Sequence, residues 1–79
     1  MSIYQYWSFR DWLGDWFVLK KAANPHFSHR VVARLCKQKS PSFFRDITSG
    51  RRNITQEQIQ VLLRLMDLSE TEERYFHDL

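Results

Sequence analysis

Five times along this 79-residue chain a serine or threonine stands just ahead of a run of apolar residues at helical spacing: Ser8, Ser28, Ser40, Thr55 and Ser69. A hydroxyl in that position accepts a hydrogen bond from a free backbone N–H of the first helical turn, so these residues start helices. The chain has only two glycines and two prolines. Turns are therefore few, and an all-helical reading is favoured. Seventy-nine residues allow one small domain, spanning 1–79, around one core. The expected fold class is all-α, a small domain of five helices.

The first helix is expected from about Ser8 to Ala23. Phe9, Trp12, Leu13, Trp16, Phe17 and Lys20 recur three and four apart. Asp11 in its first turn and Lys20 and Lys21 in its last suit the helix dipole, and Asn24-Pro25 ends it. Gly14 costs about 1 kcal/mol relative to alanine and suggests close approach of another helix. The second helix is expected from the Ser28 cap to Cys36 or Lys37, with Val31, Val32, Leu35 and Cys36 inward and Arg30, Arg34 and Lys37 outward. The third runs from Pro41, in the first helical position behind a Ser40 cap, to about Ser49, with Phe44 and Ile47 inward. Ser42, Phe43, Arg45, Asp46 and Ser49 are left facing outward or sideways. Gly50 suits the left-handed position past its end. Thr55 with Gln58, and Ser69 with Glu72, have capping-box spacing and open the last two helices. The apolar face of the fifth helix reaches Leu79, so a longer protein is expected.

The charge is unevenly spread. The formal net charge is +3, but residues 26–53 alone carry Arg30, Arg34, Lys37, Lys39, Arg45, Arg51 and Arg52 against Asp46, a balance of +6. Residues 54–79 are acidic. A positive middle third suits an anionic partner on one face, and equally a solvated basic face balanced by an acidic tail.

The second and third helices are joined by Gln38-Lys39. A short helix, a tight turn and a second short helix with polar residues at its start make a helix-turn-helix, here about residues 28–49. Docked on double-stranded DNA, such a pair brings Lys39, Ser40, Ser42, Phe43 and Arg45 nearest the base edges. Arg45 would take a guanine, Ser40 and Ser42 would bond phosphates or bases, and Phe43 would touch a thymine methyl. Arg51, Arg52 and Asn53 past the helix end, with Arg30 and Arg34 from the second helix, would hold phosphates. Asp46 opposes this reading unless it pairs with Arg45, Arg30 or Arg34, or accepts from a cytosine amine.

Other chemistries find less footing. The three histidines, His26, His29 and His77, and the single Cys36 lack metal-site spacing. Cys36 falls on an inner face, there is no glycine-rich phosphate loop, and no cofactor or enzymatic activity is expected. One cysteine excludes an internal disulfide and favours a reducing, cytoplasmic setting. No apolar run approaches the roughly 20 residues of a membrane span. Most first-helix aromatics read as core. Tyr4, Tyr6 and Trp7 precede the helix and are the candidate interface, for a homodimer, another protein or stacked single-stranded nucleic acid.

The segment Val32–Leu68 resembles the lambda-repressor/Cro-like helix-turn-helix. The residues that carry this are Val32-Ala33, Phe44 and Ile47 six and three positions before Gly50, Arg51 after it, and a further amphipathic helix from Ile59 to Met66. One extra residue between Ala33 and Gly50 implies an irregular turn. The whole chain also resembles the N-terminal region of a family of uncharacterised bacterial proteins regarded as transcriptional regulators. That resemblance rests on Phe9-Arg10-Asp11-Trp12-Leu13, Asn24-Pro25-His26-Phe27-Ser28-His29-Arg30, Ser40-Pro41-Ser42-Phe43, Gly50-Arg51-Arg52-Asn53 and Tyr75-Phe76. The resemblance implies a larger C-terminal domain beyond these residues and speaks to fold more than function. The helix-turn-helix and its charge carry the functional expectation, sequence-specific binding of double-stranded DNA in transcription regulation. A protein-interaction module on the same fold is the competing expectation.

Overall fold

The helices begin where hydroxyls satisfy their first free N–H groups. In a computed structural model that describes residues 2–79, α1 spans Phe9–Ala23, α2 His29–Leu35, α3 Phe43–Thr48, α4 Gln56–Met66 and α5 Glu70–Asp78. A short 3-10 helix, Ile3–Gln5, precedes them, and the described residues form no strand. Ser8 and Ser28 cap α1 and α2 by accepting from Arg10 N and Val31 N. Thr55 and Ser69 form full capping boxes with Gln58 and Glu72 at α4 and α5. The backbone and hydroxyl bonds of Ser69 hold the Glu72 carboxyl below its ordinary pKa.

The fifth capping hydroxyl lies elsewhere than expected. Ser42, not Ser40, is the N-cap of α3, and its side chain makes no capping bond. Ser42 N donates to Ser40 Oγ at 3.3 Å and Phe43 N donates to Ser40 O at 3.2 Å, so Ser40 and Pro41 belong to a turn ahead of the helix. The link between α2 and α3 is therefore residues 36–42 rather than the expected Gln38-Lys39. It opens with a Schellman closure: Gln38 N donates to Ala33 O at 2.8 Å and Lys37 N to Arg34 O at 3.0 Å. This geometry puts Lys37 at φ 58°, in the left-handed region that favours glycine. A second Schellman closure ends α3, with Gly50 at φ 86° as expected and Arg51 N donating to Asp46 O at 2.9 Å.

The core forms where α1 and α2 pack on α3, and α4 and α5 contribute Leu62, Leu63, Met66 and Phe76 to it. Trp12, Leu13, Trp16 and Phe17 of α1 are buried as their spacing predicts, as are Phe44 and Ile47 of α3 and Leu62, Leu63 and Met66 of α4. Trp16 and Phe17 meet Phe27 and Phe44 in an aromatic cluster with ring centroids 5.2–6.2 Å apart. The indole N–H of Trp12 donates to Met66 Sδ at 3.2 Å, so its burial leaves no orphan donor. On α2 the inner face is Val32, Ala33 and Cys36, while Leu35, expected inside, is 43% exposed. The expected close approach at Gly14 is absent within the chain: a Cβ there would meet nothing within 4 Å.

The N-terminal aromatics are tied down unequally. Ile3 is buried, and the 3-10 helix packs on α5. Tyr75 donates its hydroxyl to the Tyr6 carbonyl at 2.7 Å and meets the Tyr4 ring edge-on. Tyr6 donates to Asp15 at 2.5 Å, a bond that raises its pKa. Only Trp7 is left free, at 97% exposure.

Candidate nucleic-acid interface

One turn of α2 separates Arg30 from Arg34, so both side chains leave the same face, and the link that follows brings Lys37 and Lys39 beside them. These four cations line a single groove of about 500 Å³, with Ala33, Gln38 and Pro41 as its remaining walls. All four are exposed. Among the described residues the one ion pair is Arg74–Glu70 on α5, so the groove cations have no acidic partner there. Arg30 and Arg34, expected to hold phosphates, and Lys39, expected near base edges, are brought together here. Lys37, read on the outer face but assigned no contact, joins them because the Schellman closure turns the chain at that residue.

Two further candidates have structural work as well. Arg52 donates to Gln38 Oε1 at 2.9 Å and lies over the Phe43 ring at 5.1 Å, which fastens the segment after α3 to the link before it. Gln38 is in turn one wall of the basic groove. Asn53 accepts from Arg10 at 3.4 Å. Arg51 is exposed and makes no side-chain hydrogen bond among the described residues. Arg45 is exposed on α3, and its charge and that of Lys21 act on His29. His29 stacks on Phe17 at 4.2 Å, and burial first, then those cations, lower its pKa.

Two expectations for α3 are corrected. Phe43, assigned to a thymine methyl, is fully buried and belongs to the core. Six residues give fewer than two turns, and with Phe43, Phe44 and Ile47 all inside, half the helix is core. Asp46 pairs with no arginine. Its carboxylate accepts from the Ser42 hydroxyl at 3.1 Å, and Ser42 is in turn 2.8 Å from Ser40 Oγ. Both serines thus spend bonds on each other and on Asp46, and Arg45 is the exposed long side chain of α3.

A residue the sequence left unassigned organises this region. Arg10 of α1 donates to the Ile47 carbonyl at the C-terminal end of α3 and to the Arg52 carbonyl at 3.0 Å. It ties α1 to the chain that follows α3. The partner carbonyls are some forty positions away in the chain, and backbone acceptors leave no trace in side-chain pattern.

Cys36 is buried and its thiol is pushed up by desolvation, so little thiolate is present near neutrality. No group of three or more His, Cys, Asp and Glu suited to a metal ion occurs among the described residues, and none of their helices is long and apolar enough to cross a membrane. No protein-family model, curated protein or solved structure matches this chain.

Proposed function

We propose that this protein binds double-stranded DNA with α2, the link after it and α3, and that it acts in transcription regulation as a helix-turn-helix module of lambda-repressor-like type. The observation that carries the reading is the groove in which Arg30, Arg34, Lys37 and Lys39 converge without acidic partners among the described residues. Four such cations match a run of backbone phosphates, whose neutralisation releases counterions and drives affinity. Arg52, bonded to Gln38 of the groove, and Arg51 beside it extend the same positive field. Arg45 is the α3 side chain best suited to a base edge. The short exposed surface of α3 makes phosphate contact the larger part of the affinity and base reading the smaller part.

A titration of a fluorescent duplex at about 50 mM salt tests this. Binding that weakens strongly in Arg34→Glu, with the melting temperature unchanged, is the expected result. A duplex that stays free with the wild-type chain at that salt overturns it. A protein-interaction module is the second reading, favoured by one observation: Trp7 is almost wholly exposed.

A further inference from the structure

The outward face of α1 sets Gly14, Val18 and Ala22 beside two carboxylates, and none of the five is buried. At 100° per residue, Asp11, Gly14, Asp15, Val18 and Ala22 fall within an arc of about 100°. Val18 is 64% exposed, and Leu19, about 40° beyond the arc, is 53% exposed. With Trp7 just ahead of the helix, these are three of the five large apolar side chains the surface displays. A helix facing only water carries charged and polar residues there.

Gly14 is the second anomaly. It weakens the helix, yet no neighbour in the chain requires its missing side chain. Its bare backbone helps form a hollow of about 460 Å³ whose walls include Trp7, Asp11 and Asp15. An apposed helix would use that hollow, because a side chain from the other helix fits where a Cβ is lacking.

The charges choose the apposed helix. Asp11 lies in the first turn of α1 and Lys21 in its last, flanking the same face, while Lys20 points to the opposite side. A second α1 laid antiparallel meets acid with base, and opposes the two helix dipoles. A parallel one would meet like with like.

We propose that the outward face of α1 is the contact between two copies of this chain, antiparallel about a two-fold axis, with Gly14 of each opposite Val18 of the other. In that register Asp11 lies level with Lys21 of the second copy, twice over. Each Val18 enters the hollow of its neighbour, and the contact closes on itself as a dimer. A single helix face about 22 Å long is smaller than a standard interface, so the association is weak. The inference does not depend on nucleic-acid binding, and its test contains none.

Sedimentation of the 79-residue chain from about 10 μM to about 1 mM reads the association directly. The expected result is a mass that rises from monomer toward dimer. Asp11→Lys and Lys21→Asp each weaken the dimer about tenfold, since each change acts at two symmetric pairs, and the double reversal restores it. Gly14→Met fills the hollow and abolishes the dimer while the circular dichroism melt stays cooperative. A chain that is monomeric throughout overturns the proposal, as does a double reversal that recovers nothing. A dimer lost on Trp7→Ala but indifferent to Asp11→Lys would put the contact at the N-terminal aromatics, and also overturns it.

Discussion

Arg10 closes the C-terminal end of α3 by donating to the carbonyl of Ile47, thirty-seven positions further along the chain. The same guanidinium holds the Arg52 carbonyl at 3.0 Å and lies 4.9 Å from the Phe9 ring. It positions the segment that carries Arg51 and Arg52. Replacing Arg10 by alanine leaves two carbonyls without this donor and should cost about 2 kcal/mol in urea unfolding. Arg10→Lys should recover only part of that, because an ammonium does not reproduce the planar fork. A change under a few tenths of a kcal/mol in either variant would show that the contact contributes nothing.

Lys37 sits in the left-handed region, where a side chain is strained and glycine is not. Lys37→Gly should therefore stabilise the fold by about 0.5–1 kcal/mol despite removing a surface charge. It should also remove one phosphate contact from the basic groove. Urea unfolding and duplex titration of the one variant must move in opposite directions, stability up and affinity down.

Gly14 lies in mid-helix with open space where a Cβ would be. Gly14→Ala should raise stability by up to about 1 kcal/mol through helix propensity alone. A loss of stability, read as a lower melting temperature, would mean that the position is tighter than this geometry.

His29 is disfavoured as a cation by its burial and by Arg45 and Lys21. Its folded-state pKa lies below the ordinary 6.5, so the unfolded chain takes up the proton first as pH falls. The contribution is fully present above the unfolded-state pKa and is lost as pH falls through the folded-state value. Stability should decline more between pH 7 and 5 in the wild type than in His29→Gln, whatever the carboxylates add to both. Equal slopes in the two proteins would contradict the assignment, as would an NMR titration of the His29 ring with a midpoint above 6.5.

Much of the fold is legible in the chain because its helices announce themselves locally. Ser8, Ser28, Thr55 and Ser69 cap where their spacing says, and Gly50 takes the left-handed turn expected of it. The errors cluster where local pattern is short. Ser40-Pro41-Ser42 offers two hydroxyls, and neither caps α3: Ser40 shapes the turn ahead of it, and Ser42 holds the cap position without a capping bond. Six residues of α3 are too few for periodicity to distinguish two inward positions from three. Phe27, in a loop, is buried by Trp16 and Phe17, which no pattern around it reveals. Of the candidate site, Arg30, Arg34 and Lys39 are legible from helix spacing and the short link. The roles of Arg10, Arg52 and Asn53 as fasteners depend on contacts across the fold.

The central claim is that the groove of Arg30, Arg34, Lys37 and Lys39 is a phosphate-binding surface, and the salt dependence of duplex affinity tests it most directly. With four groove contacts, log affinity against log salt should fall with a slope of about −3.6, steeper if Arg51 and Arg52 also engage. Arg30→Ala combined with Arg34→Ala should flatten that slope by about two and weaken binding to all sequences alike. A slope that the double variant leaves unchanged, or a duplex unbound at about 50 mM salt, would contradict it.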